Sequence, residues 1–109
     1  MKVVLLSVLL LTAVPAIAAA GEVYGTIKEG GKPVKAGLKV ELACGGKTVA
    51  GATDQFGAYR LFASEEGRCT LTLTIDSERP SIEVRSFPDS ARYNLVLERK
   101  DGKYTLRPE

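Results

Sequence analysis

From Glu22 onward, apolar and polar residues alternate with a period of two in short runs, and no stretch carries the spacing of an amphipathic helix. Val23, Gly25 and Ile27 share one face of a predicted strand over Glu22–Lys28, and Glu29–Pro33 ("EGGKP") turns the chain. Leu38, Val40, Leu42 and Cys44 share a face in the next strand, with Lys39 and Glu41 opposite. Gly45-Gly46 separates it from a shorter run, Lys47–Ala52, centred on Val49. Tyr59, Leu61 and Ala63 form a fourth apolar set, and Ser64–Gly67 is a turn. Cys69, Leu71, Leu73 and Ile75 then alternate with Thr70, Thr72 and Thr74, and Ile82 and Val84 mark a sixth run. The last segment reads as strand, turn and short strand, with Asp101-Gly102 able to supply the two positive φ angles of a type I′ hairpin. Short strands punctuated this regularly predict an all-β sandwich or barrel of about seven strands.

The first twenty residues depart from that pattern. Lys2 precedes an apolar run from Val3 to Val14, Pro15 breaks it, and Ala18-Ala19-Ala20 offers the small residues a signal peptidase reads. The segment is predicted to be a signal peptide cleaved after Ala20, which leaves one exported domain, residues 21–109, periplasmic or secreted. The run is shorter than the roughly 20 residues of a membrane span, so no span is expected in the mature chain.

A domain of this size buries only about 60% of its unfolded surface and is marginal without a covalent aid. Cys44 and Cys69, the two cysteines of an exported chain, are expected to form a disulfide. Each continues the inward phase of its strand, so the bridge should join two strands inside the core. In the chain-entropy model it contributes roughly 3.5 kcal/mol. The chain holds 15 Lys and Arg against 13 Asp and Glu, without blocks of like charge. That balance reads as a solvated surface and argues against nucleic acid as a partner.

The stretch "TDQFGAYRL", Thr53–Leu61, is the most patterned part of the domain. Asp54 at the head of a turn can accept hydrogen bonds from N–H groups two residues on, Gly57 supplies a positive φ, and Tyr59 is in phase with Leu61. A calcium loop needs several closely spaced oxygen ligands, and Asp54 is the lone acid here. The stretch is therefore expected to be a structural corner.

Gly25 and Ile27; Gly31, Pro33, Val34 and Gly37; Val40 and Leu42; Thr53, Asp54, Gly57 and Tyr59; and Gly67, Leu71 and Leu73 together resemble the carboxypeptidase regulatory-like domain over Glu22–Ile75. The resemblance implies a transthyretin-like (prealbumin-type), seven-stranded Greek-key sandwich with a carbohydrate-binding-like fold. It implies no peptidase activity, since such domains occur beside catalytic domains and alone.

The chain contains no histidine, which excludes Ser-His-Asp and Cys-His nucleophilic sites and histidine-bearing zinc sites. No catalytic residue, cofactor or metal ligand is predicted. An internal Lys–Asn isopeptide bond has candidates in Lys28, Asn94 and Glu41, but Lys28 and Glu41 fall on outward phases. Tyr24, Phe56, Phe62 and Phe87 are placed on outward faces or turns, and Phe56 with Phe62 could form a small ligand platform. Lys28, Lys32, Pro33 and Lys35 look like protection for the edge of the first strand. The expectation is thus a non-catalytic module whose partner is another envelope or secreted protein, with a polysaccharide as the alternative.

Overall fold

The structure, a computed structural model, describes residues 21–109; the predicted signal peptide and its cleavage after Ala20 lie outside the described residues. The elements are β1 (Glu22–Glu29), β2 (Lys32–Pro33), β3 (Lys39–Cys44), β4 (Lys47–Ala52), β5 (Ala58–Phe62), β6 (Gly67–Leu73), β7 (Ser81–Ser86), β8 (Ala91–Arg92), β9 (Leu95–Lys100) and β10 (Lys103–Pro108). They form two sheets, and the domain is an all-β sandwich. One sheet is antiparallel in the order β4-β3-β6-β7. The other is built around β1, which pairs antiparallel with β5 and β2 along one side and parallel with β8 and β9 along the other. β10 lies antiparallel outside β9.

Ten strands are present where seven were expected. β2 and β8 have two residues each, too short to show alternation, and β10 is the second arm of the C-terminal hairpin. The first strand was expected to lie at an edge, with Lys28, Lys32, Pro33 and Lys35 guarding it. It is instead the central strand of its sheet. Parallel pairing with β8 and β9 leaves no short-range mark in sequence, because the partners are some 70 residues away.

Alternation places Val23 and Ile27 of β1, Val40 and Leu42 of β3, Leu61 of β5 and Leu71 and Leu73 of β6 in the buried layer between the sheets. Leu95 and Leu97 of β9 and Leu106 of β10 complete it. Cys44 and Cys69 are paired in a disulfide and are buried. They sit directly opposite each other in β3 and β6, with Cα atoms 4.5 Å apart, the close spacing of a non-hydrogen-bonded antiparallel pair. The bridge therefore joins neighbouring strands of one sheet and locks their register.

Four two-residue hairpin turns have the positive φ at both central residues that type I′ geometry needs: Gly30-Gly31, Gly45-Gly46, Asp76-Ser77 and Asp101-Gly102. Asp101 and Gly102 have φ of 51° and 78° between β9 and β10. Asp76 and Ser77, with φ of 49° and 69°, turn the chain between Ile75 and Glu78, which bond to each other in both directions. The Asp76-Ser77 turn contains no glycine and has no counterpart in the sequence reading.

Replacing Cys44 by Ser should destabilise the domain by about 2–4 kcal/mol, or roughly 10 °C or more in Tm at this size. Thermal unfolding followed by circular dichroism checks it; an unchanged Tm would mean that the bridge does not contribute.

Candidate functional site

The corner between β4 and β5 is held by its own polar groups. The Asp54 carboxylate accepts hydrogen bonds from the N–H groups of Phe56 (2.8 Å) and Ala58 (2.9 Å), while Gly57 N–H donates to Asp54 O (3.0 Å). Gly57 has φ of 72°, and a Cβ there would stand 2.6 Å from Ile27 O, so both conformation and space demand glycine. Thr53 is buried; its hydroxyl donates to Lys35 O (2.8 Å) and accepts from Leu38 N–H (3.0 Å), tying in the loop before β3. The Asp54 oxygen that faces the turn is committed to the backbone.

Tyr59 lies inward opposite Gly25 and donates its hydroxyl to Tyr93 O at 2.6 Å. Burial, and secondarily Tyr93, raises its phenol pKa far above the ordinary tyrosine range. Gly25 permits this contact, because a Cβ on it would overlap Tyr93 O. Tyr93 in turn uses its own hydroxyl on β7, donating to Arg85 O (2.8 Å) and accepting from Arg85 N–H (3.0 Å). In the gap between β8 and β9, Asn94 Oδ1 takes the place of a ladder carbonyl and accepts from Thr26 N–H (3.1 Å) and the Thr26 hydroxyl (3.3 Å). Sequence reasoning passed over Tyr93 and considered Asn94 only as an isopeptide candidate. The phase of Tyr93 with Leu95 and Leu97 was the available signal.

Phe56 and Phe62 are both exposed, at 64% and 65%, but Phe56 lies in the corner before β5 and Phe62 at that strand's far end. Ala58 and Phe62 alone are about 13 Å apart at strand rise, so the two rings do not form one platform. Between them lies a shallow hollow of about 620 Å³ on the outer face of the β1 sheet, lined by Tyr24, Thr26, Arg60, Arg92 and Asn94 among others. Tyr24 is flanked in register by Arg60 on β5 and Arg92 on β8. The Arg92 guanidinium sits 5.3 Å from the ring centroid, and Arg60 pairs with Glu22. Phe87 is partly exposed at the end of the sandwich where its carbonyl accepts from Gly21 N–H.

Lys28, Asn94 and Glu41 do not converge. Lys28 lies 3.9 Å from Glu109, whereas Glu41 is on the outer face of the other sheet with Arg79 and Lys39. Among the described residues no group of three or more Cys, Asp or Glu is placed to hold a metal ion, and no helix is long and apolar enough to cross a membrane.

The strand edges differ in whether any outward backbone group is met by a side chain. Leu73 N–H bonds to Pro80 O, so along β7 it is Ser81, Glu83 and Arg85 whose backbone groups turn outward, and Tyr93 occupies both groups of Arg85. On β10 the outward positions are Tyr104, Leu106 and Pro108. Tyr104 N–H is taken by Glu78 Oε1 (2.8 Å), and Pro108 has no donor. On β5 Ala58, Arg60 and Phe62 point outward, and Asp54 takes both groups of Ala58. On β4 the bonds between Thr53 and Leu38 set the phase so that Thr48, Ala50 and Ala52 face outward. Among the described residues nothing bonds to their backbone groups, and all three side chains are small, uncharged and exposed.

Two substitutions separate the corner's geometry from its composition. Gly57→Val should cost more than about 2 kcal/mol, and Gln55→Val within about 0.5 kcal/mol, by chemical denaturation. Equal losses would contradict the corner's dependence on Gly57. Tyr93→Phe should lower stability by about 1–3 kcal/mol by removing both bonds to Arg85, and an unaltered Tm would contradict the clamp.

No family model matches the chain, and no curated protein matches it.

Proposed function

We propose that the chain is a non-catalytic, exported interaction module of the carboxypeptidase regulatory-like type, acting in the cell envelope or outside the cell. The observation that carries this reading is the open β4 edge. Three outward residues with unpaired backbone groups and small side chains form a template for an added strand. The buried Cys44–Cys69 bridge in a domain this small agrees with an oxidising compartment. The motif residues named for the family fall on the structural parts their types suit: Gly57 in the corner, Tyr59 beneath it, Gly25 against Tyr93.

The alternative reading, a carbohydrate-binding module, is favoured by the hollow on the β1 sheet. There an aromatic ring, two guanidinium groups and an amide converge, and exposed Phe62 lies two residues beyond Arg60 on the same face of β5. A sugar laid across Tyr24 would find both a stacking surface and donors.

Chemical crosslinking of residues 21–109 to fractionated envelope, with the disulfide intact, distinguishes the two. The interaction reading expects a specific protein band that is lost in an Ala50→Pro variant. Retention by the polysaccharide fraction alone, lost on Phe62→Ala or Tyr24→Ala, would overturn it in favour of sugar binding.

A further inference from the structure

We infer that the occupant of the β4 edge is a second copy of this chain, paired antiparallel about a two-fold axis at Ala50. The inference rests on the interaction reading above and names its partner.

The edge is complementary to itself. With Ala50 opposite Ala50 of the second copy, Thr48 lies opposite Ala52 at both ends. All three pairs bring together outward-turned backbone groups, so each pair can exchange two hydrogen bonds. No side chain at these positions exceeds threonine in size or carries charge, so nothing holds two copies apart. The ends of the edge differ in sign, Lys47 at one and Asp54 beyond the other, both exposed. Antiparallel pairing sets unlike ends together, whereas parallel pairing would set like charges side by side. On the core-facing side Val49 comes opposite Gly51, which has no side chain of its own and is covered by Leu61 of the same copy. The charged residue nearest the edge on β5, Arg60, is already matched by Glu22 and does not repel its counterpart. The pairing joins two four-stranded sheets into one of eight and gives the isologous contact common among homodimers.

A six-residue strand buries far less than the roughly 1,600 Å² of a standard interface, so the dimer should dissociate with a Kd of roughly 10–100 µM. Register makes the inference testable at single residues. In a hydrogen-bonded pair the Cα atoms are about 5.5 Å apart, within disulfide range, so Ala50→Cys should give a covalent dimer under mild oxidation. Ala52→Cys should not, because its counterpart lies about 13 Å along the strand.

The experiment is sedimentation velocity of residues 21–109 from 5 µM to 1 mM, with non-reducing electrophoresis of the two cysteine variants. The expected result is a dimer fraction that rises with concentration, a crosslink at least tenfold faster for Ala50→Cys than for Ala52→Cys, and a folded, monomeric Ala50→Pro. Should proline disturb the fold, Ala50→Lys serves in its place. A monomer at every concentration, or equal crosslinking of both variants, overturns the inference. If the monomer still captures an envelope protein through β4, the occupant is that protein and the interaction reading stands; if it captures nothing, both fall.

Discussion

An open β-sandwich leaves four edges along which backbone N–H and C=O groups have no strand to bond, and each must be hydrated, covered or paired. In this domain a specific side chain meets one outward position on each of three edges. Tyr93 reaches from the β1 sheet to hold Arg85 on β7, Glu78 caps Tyr104 on β10, and Asp54 holds Ala58 on β5. Much of the irregular structure follows from these contacts. Gly25 lets Tyr93 approach, Tyr59 anchors its carbonyl, and Asn94 completes the ladder where β8 gives way to β9. The contrast with β4, whose neighbours offer it nothing, gives that strand its meaning.

The disulfide serves the same arrangement from inside. Because it lies between adjacent strands, it does not hold the two sheets together; the Val, Leu and Ile layer does that. What it holds is the register of β3 against β6, and a slip of one residue there would turn the inward set of one strand, Leu42 or Leu71 with it, out of the core. The register of β3 also dictates which backbone groups of β4 face outward. The covalent staple and the open edge are thus two ends of one chain of pairings.

Much of this was legible in the sequence because it is local. Alternation located the core positions of β1, β3, β5 and β6, the phase of Cys44 and Cys69 implied an internal bridge, and Asp101-Gly102 marked its hairpin. What escaped was non-local or too short to have a period. β1 looked like an edge because its parallel partners lie far along the chain, and β2 and β8 have two residues each. The Asp76-Ser77 turn lacks the glycine that signals a positive φ. Phe56 and Phe62 were close in sequence, but a strand between them set them apart, and the hollow between them depends on Tyr24 and Arg92 from other strands. Which strands form edges depends on strand order, which no local pattern records.

The most direct measurement is amide hydrogen exchange, resolved by residue, at a concentration well below that of any self-association. The account predicts rapid exchange at Thr48, Ala50 and Ala52, and protection at Arg85, Tyr104 and Ala58, which also lie on strand edges but have side-chain partners. Uniform exchange along all the edges, or protection of Ala50 in the dilute monomer, would contradict it.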